Sequence, residues 1–175
     1  MANRNQDPAI LSGKVLALDP GSACGWAMGA LFEPIAEHGT WKLGNDPVKR
    51  MFSLEAKLHG IRSDNLIAVY YEMPLSRFHK AMRSLTLQEA AILRWCRLNE
   101  VPANPIPPKR IKDRSGAGGN AGKKAMAERM IDGYRLIAGD GSGPDRALTE
   151  HEIDALWLLD FARSEIEAVP AGVAL

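Results

Sequence analysis

The chain has 175 residues, 46% hydrophobic and 25% charged, with a formal net charge of +1. That is enough apolar material for one core, so a single domain over residues 13–167 is expected, between a flexible arm at 1–12 and a tail at 168–175. No apolar stretch nears the roughly 18 residues of a membrane span, no signal-peptide core opens the chain, and Cys24 and Cys96 form neither a Cys-x-x-Cys pair nor a zinc spacing, so the default setting is a reduced cytoplasm.

Residues 15–19, Val-Leu-Ala-Leu-Asp, read as a first strand that places an acid at its carboxyl end before the Pro20-Gly21 turn. Residues 25–31 and 35–41 follow as strands, linked by Gly- and Pro-containing connections of the hairpin kind. Pro47 opens a helix to about residue 61. Residues 66–72 form a strand rich in Val and Tyr, ended by Glu72 and broken by Pro74. Residues 80–98 are a strong helix, with apolar Met82, Leu85, Ala90, Leu93 and Trp95. Residues 101–106 make a short strand weakened by Pro102 and Pro105. A helical turn is expected at 108–112, a Gly-rich loop at 115–122, a helix at 125–137 and a second Gly-rich loop at 138–147. Thr149-Glu150-His151-Glu152 fits a capping box and opens a last helix over 150–166. This order argues for a mixed α/β sheet with helices on its faces.

The near-zero net charge hides segregation. Residues 77–97 carry a balance of +4 and residues 109–135 a balance of +5, leaving −8 elsewhere. Two basic segments beside acids suit a polyanion held by its backbone, although solvated helix faces give the same pattern. Gly122-Lys123 does not complete a phosphate-binding loop, because Ala117 and Lys124 replace the required Gly and Ser or Thr. The tryptophans Trp26, Trp41, Trp95 and Trp157 suit a core better than base stacking, and Cys24 suits packing better than nucleophilic attack.

Asp19 and Glu72 both end strands, and carboxyl ends in mixed sheets gather at one edge. His151 and Asp154 lie three apart on one helical face, Glu150 and Asp154 four apart; Glu152 points elsewhere and serves the cap. Hard oxygen ligands of this kind suit Mg²⁺, and a pair of such ions can neutralise phosphate charge and activate water. Asp19, on the most central strand, is the candidate to bridge two ions, with Glu72 and Asp154 completing them. His151 is either a further ligand or a group that handles the water proton, and Glu150 competes with it for the ligand place.

These residues resemble the RuvC-type Holliday-junction resolvases of the RNase H-like superfamily. Asp19-Pro20-Gly21-Ser22 with Gly25 is similar to the opening motif, Glu72 to the second acid, and His151-Glu152-Ile153-Asp154-Ala155-Leu156 to the closing pattern. Order and spacing match over roughly residues 14–163, and a divergent or phage-borne member in a bacterial or infected-host cytoplasm would fit. The resemblance implies a mixed five-stranded sheet with helices on both faces. It implies a homodimer that cuts four-way DNA junctions with two Mg²⁺ (or Mn²⁺) per site, leaving a 5′-phosphate and a 3′-hydroxyl, with no small-molecule cofactor. It places Lys112 and Lys123 near the scissile phosphate, which puts Lys123 in the catalytic set. Arg77, Phe78, Lys80, Lys109, Arg110, Lys112, Lys123 and Lys124 are the expected DNA contacts, Phe78 as the wedge at the exchange point. Residues 80–98, with Leu85, Ala90 and Leu93, are the expected dimer helix. The chain departs from the family's run after Glu72 and in its looser Gly116-Ala117-Gly118-Gly119 segment. A non-catalytic junction binder, an RNase H-like nuclease of other substrates, and an ATPase-type relative are the rivals.

Overall fold

The computed structural model describes residues 13–31, 37–115, 124–125, 127–130 and 147–168. The arm at 1–12, the Gly-rich segment at 116–122 with Lys123, and most of the expected helix at 125–137 lie outside them; residues 124–125 and 127–130 are helical. Five strands form one sheet: β1 (Lys14–Asp19), β2 (Ala23–Ala30), β3 (Glu37–Lys42), β4 (Leu66–Glu72) and β5 (Ala103–Ile106). The helices are α1 (Pro47–His59), α2 (His79–Leu98), α3 (Pro108–Arg114) and α4 (Glu150–Ala168).

The spatial order is β3-β2-β1-β4-β5, so β1 is central. Both hairpin pairs are antiparallel, whereas β1–β4 and β4–β5 are parallel. The uninterrupted apolar run of β1 follows from burial on both faces. Val15 and Ala17 enter a core with Ile153, Leu156 and other residues of α4, while Leu16 and Leu18 enter a second core with Leu54 and Leu58 of α1 and Ile92 and Trp95 of α2. This is the expected mixed sheet with helices on both faces.

Local chemistry sets several boundaries. Asp46 caps α1, its carboxylate accepting from Val48 and Lys49 N–H at 3.1 and 2.9 Å, with Pro47 in the first turn. β5 begins at Ala103 rather than at residue 101, because Pro102 has no N–H to offer the ladder; its carbonyl still accepts from Val69 at 2.8 Å. α3 runs to Arg114 and α4 to Ala168, each past the expected end. Trp95 and Trp157 are buried as expected, but Trp26 and Trp41 are half-buried and stack on each other with centroids 5.4 Å apart.

The inward face of α2 is more polar than its pattern suggests. It buries Ser84 and Gln88 beside Ala91, Ile92, Trp95 and Cys96. Arg50 of α1 donates to the Ser84 hydroxyl at 3.1 Å and to the Gly44 carbonyl at 2.6 Å, and so links the two helices. Ala90 and Leu93 face outward, where the expected dimer helix would need them, and Leu85 is half-buried.

Burial pushes the Cys96 thiol up from 9.0 to about 11. Cys24 is raised by burial and then by the Asp19 charge, and Tyr71 by burial and its hydrogen bond to Glu89. Each group keeps its proton longer in the folded chain than in the unfolded one. Stability contributed this way is intact below pH 9.0 and is lost as pH rises through about 11 for Cys96. The urea midpoint is therefore expected to be lower at about pH 10.5 than at about pH 8, and a midpoint that does not fall would contradict the burial of these groups.

Candidate active site

Leu18 of β1 pairs with Tyr71 of β4 in parallel register. One residue further along, Asp19 and Glu72 end the two strands, which lie about 4.8 Å apart. Side chains alternate across a sheet, so the placement of Val15, Ala17, Ala68 and Tyr70 in the α4-side core puts Asp19 and Glu72 on that same face. Both are half-buried. On the other flank of Asp19, its register partner is Gly25 of β2, and Gly25 in turn pairs with Thr40 of β3.

The start of α4 crosses this edge. Its capping box is formed: Glu152 N–H donates to Thr149 Oγ1 at 3.2 Å, and Thr149 N–H donates to Glu152 Oε2 at 2.9 Å. Thr149 and Thr40 share a hydroxyl hydrogen bond of 2.7 Å. The helix backbone then lies directly on Gly25, where an added Cβ would stand 1.8 Å from the His151 carbonyl oxygen. Any side chain at residue 25 would hold the helix off the sheet. His151 Nδ1 meets Asp19 Oδ2 at 3.0 Å, and its Nε2 lies 3.8 Å from Glu150 Oε1. With Asp19 ionised, Nδ1–H is the donor, and in the neutral imidazole this leaves Nε2 as an acceptor. Asp154 is half-buried and follows one turn along the face that His151 occupies.

The structure thus joins Asp19 to His151 directly, with Glu72 beside Asp19 by register and Asp154 one turn from His151. Among the described residues no three His, Cys, Asp or Glu side chains are grouped so as to hold a metal ion. The donors are nonetheless of the kind a hard cation takes: carboxylates of Asp19 and Glu72 and the His151 imidazole at a shared sheet edge, with Asp154 one turn further along α4. Here the side chains pair Asp19 with His151 rather than closing around a common centre.

The expected DNA contacts divide. Phe78 is 77% exposed at the mouth of α2, and Arg77 and Lys80 on either side of it are exposed; all three follow closely from Glu72. Leu75, with no prior sequence signal, is 71% exposed in the same loop. Lys109 is exposed, Lys112 half-buried, and Lys124 exposed with Glu128 at 3.9 Å. Arg110 has a structural use: its guanidinium lies 4.7 Å over the Phe161 ring and 3.2 Å from Glu165 Oε1, tying α3 to α4. Arg114 does the same through Asp160 at 2.6 Å.

Two contributors carried no signal in the sequence. His38 of β3 meets Glu152 Oε1 at 3.2 Å, and Glu152 is wholly buried. Tyr71, next to Glu72, donates its hydroxyl to Glu89 of α2 at 3.0 Å. An alternating edge strand gives no reason to single out one His, and a core Tyr none to expect a carboxylate partner.

No protein-family model matches the sequence, and none of the curated proteins matches it. Solved structures do. The structure of Thermus thermophilus RuvC aligns with a TM-score of 0.67 at 20% identity, covering 88% of this chain and 96% of that one. T. thermophilus RuvC in complex with a Holliday junction substrate aligns with a TM-score of 0.67 at 20% identity, covering 89% and 96%. The central β1, its antiparallel hairpins, its parallel neighbour β4 and the helices on both faces therefore constitute a RuvC-like fold of the RNase H-like kind.

Proposed function

We propose that this chain is a metal-dependent endonuclease that resolves four-way DNA junctions. The observation that carries the reading is the meeting of Asp19 and His151 at the sheet edge where Glu72 also ends its strand, within a RuvC-like fold. Asp19, Glu72, Asp154 and His151 would hold two Mg²⁺, or Mn²⁺ in their place. When bound, the ions supply charge neutralisation at the phosphate and acidify a coordinated water.

The protein's own groups prepare that site. Asp19 accepts from His151 Nδ1–H and so, in the neutral imidazole, fixes the tautomer that leaves the Nε2 lone pair for a ligand or for a water proton. Arg77, Lys80, Lys109, Lys112, Lys123 and Lys124 would hold phosphates, and Phe78 would enter the exchange point. Arg110 contributes less to DNA binding, because Glu165 and Phe161 already engage it. A junction has near two-fold symmetry, so a C2 dimer through the outward face of α2 would nick two strands in symmetric positions.

Product mapping on a mobile synthetic four-way junction tests this. Paired, symmetric nicks bearing 5′-phosphates are expected with Mg²⁺. Tight binding without cutting in either Mg²⁺ or Mn²⁺ would instead identify a non-catalytic junction binder, and faster cutting of flaps or RNA–DNA hybrids would reassign the substrate. Lys80→Ala or Lys109→Ala is expected to lower the salt slope of junction binding by about one phosphate contact each. Arg110→Ala is expected to lower that slope less than either, and an equal drop for all three would contradict the smaller share of DNA binding assigned to Arg110.

A further inference from the structure

We propose that His38 and Glu152 are positioning residues, forming a buried brace from edge strand β3 to the first turn of α4 that sets the bearing of His151 and Asp154 over Asp19. The inference rests on the nuclease reading and goes beyond it, since neither residue belongs to the ligand set.

Glu152 sits between the two candidate ligands in sequence yet points away from them, wholly buried. Placing a carboxylate in the core is costly without good partners. A capping box needs one oxygen, and Thr149 N–H takes Oε2 at 2.9 Å. The other oxygen, Oε1, accepts from His38 at 3.2 Å. On the same side of β3, two residues along, Thr40 bonds Thr149 at 2.7 Å. The first turn of α4 is therefore tied to β3 by two side-chain contacts, rests on Gly25 of β2 and reaches Asp19 of β1.

Attachment does not require the brace. Ile153, Leu156, Leu158 and Leu159 are buried on α4, and apolar burial already holds the helix to the sheet. Such burial is non-directional and does not set the roll of a helix about its axis. A roll of about 20° moves a side-chain tip lying roughly 6 Å from the axis by about 2 Å. A catalytic group displaced by about 1 Å can lose about a hundredfold in rate. The His38–Glu152 and Thr40–Thr149 bonds, both reaching from β3, are directional and remove that freedom next to the residues that need it removed.

The test compares His38→Ala, which deletes the donor, with His38→Asn, whose amide can replace Nδ1–H. Four quantities are read: the melting temperature of the metal-free protein, Mn²⁺ affinity of the DNA-free protein by calorimetry, and kcat and KM on a four-way junction. His38→Ala is expected to weaken Mn²⁺ binding at least about tenfold and to lower kcat by about a hundredfold with little change in KM, while the melting temperature falls because buried Glu152 Oε1 loses its donor, the protein staying folded at the assay temperature. His38→Asn is expected to recover most of both losses. Wild-type Mn²⁺ affinity and kcat in His38→Ala would overturn the proposal. So would losses that only track the unfolded fraction and that His38→Asn does not repair. If the wild type binds Mn²⁺ in a His38-dependent way without cutting any junction, the brace stands and the nuclease reading falls.

Discussion

Gly25→Ala is expected to reduce junction cleavage by more than about a hundredfold and to cost about 1–3 kcal/mol of stability. The added methyl would stand 1.8 Å from the His151 carbonyl oxygen, 2.4 Å from its carbon and 3.1 Å from its Cα. All three are helix backbone, so no rotamer change relieves the clash. The start of α4 must lift by more than about an ångström, taking His151 and Asp154 away from the strand ends. Gly39→Ala is the matched control. Its Cβ would meet the Trp26 indole at 2.9 Å, a half-buried side chain that can shift. Single-turnover cleavage and urea unfolding of the two variants check this, and equal behaviour of Gly25→Ala and Gly39→Ala would contradict it.

Asp19→Asn is expected to abolish cutting, by at least about 10²–10³-fold, while junction binding persists. The change conserves shape and removes one negative charge from the centre of the constellation. It also removes the acceptor charge that orients His151, whose Nδ1 lies 3.0 Å from Asp19 Oδ2. Asp154→Asn is expected to behave alike. Because phosphate contacts dominate affinity, fluorescence anisotropy should report near wild-type binding for both. Full cutting by Asp19→Asn protein would remove Asp19 from the mechanism.

Much of this arrangement could be read in advance, for identifiable reasons. β4 begins and ends as expected, since its Val-Tyr-Tyr run is a strong strand signal and Pro74 stops it. The Thr149-x-x-Glu152 cap was legible because it depends on spacing within one turn. The acids at the ends of β1 and β4 were legible because each closes an apolar run. What depends on distant partners was not. His38 and Glu152 are 114 residues apart, and nothing local in either segment announces the other. Glycine in a strand signals a close approach, but Gly25 alone does not say that His151 is what approaches. Arg110 and Lys109 look alike in a charge balance, yet only the fold shows Glu165 and Phe161 engaging the first. Ser84 and Gln88 obscured the inward stripe of α2 because polar residues stand at two of its buried positions.

The decisive measurement is the anomalous signal of Mn²⁺ in crystals of the protein. Two peaks about 3.5–4 Å apart, with carboxylate oxygens of Asp19, Glu72 and Asp154 within about 2.3 Å, are expected at the carboxyl edge of β1 and β4. Saturating Mn²⁺ that leaves this edge empty, or peaks held by other side chains, would contradict a nuclease centre built on these three acids.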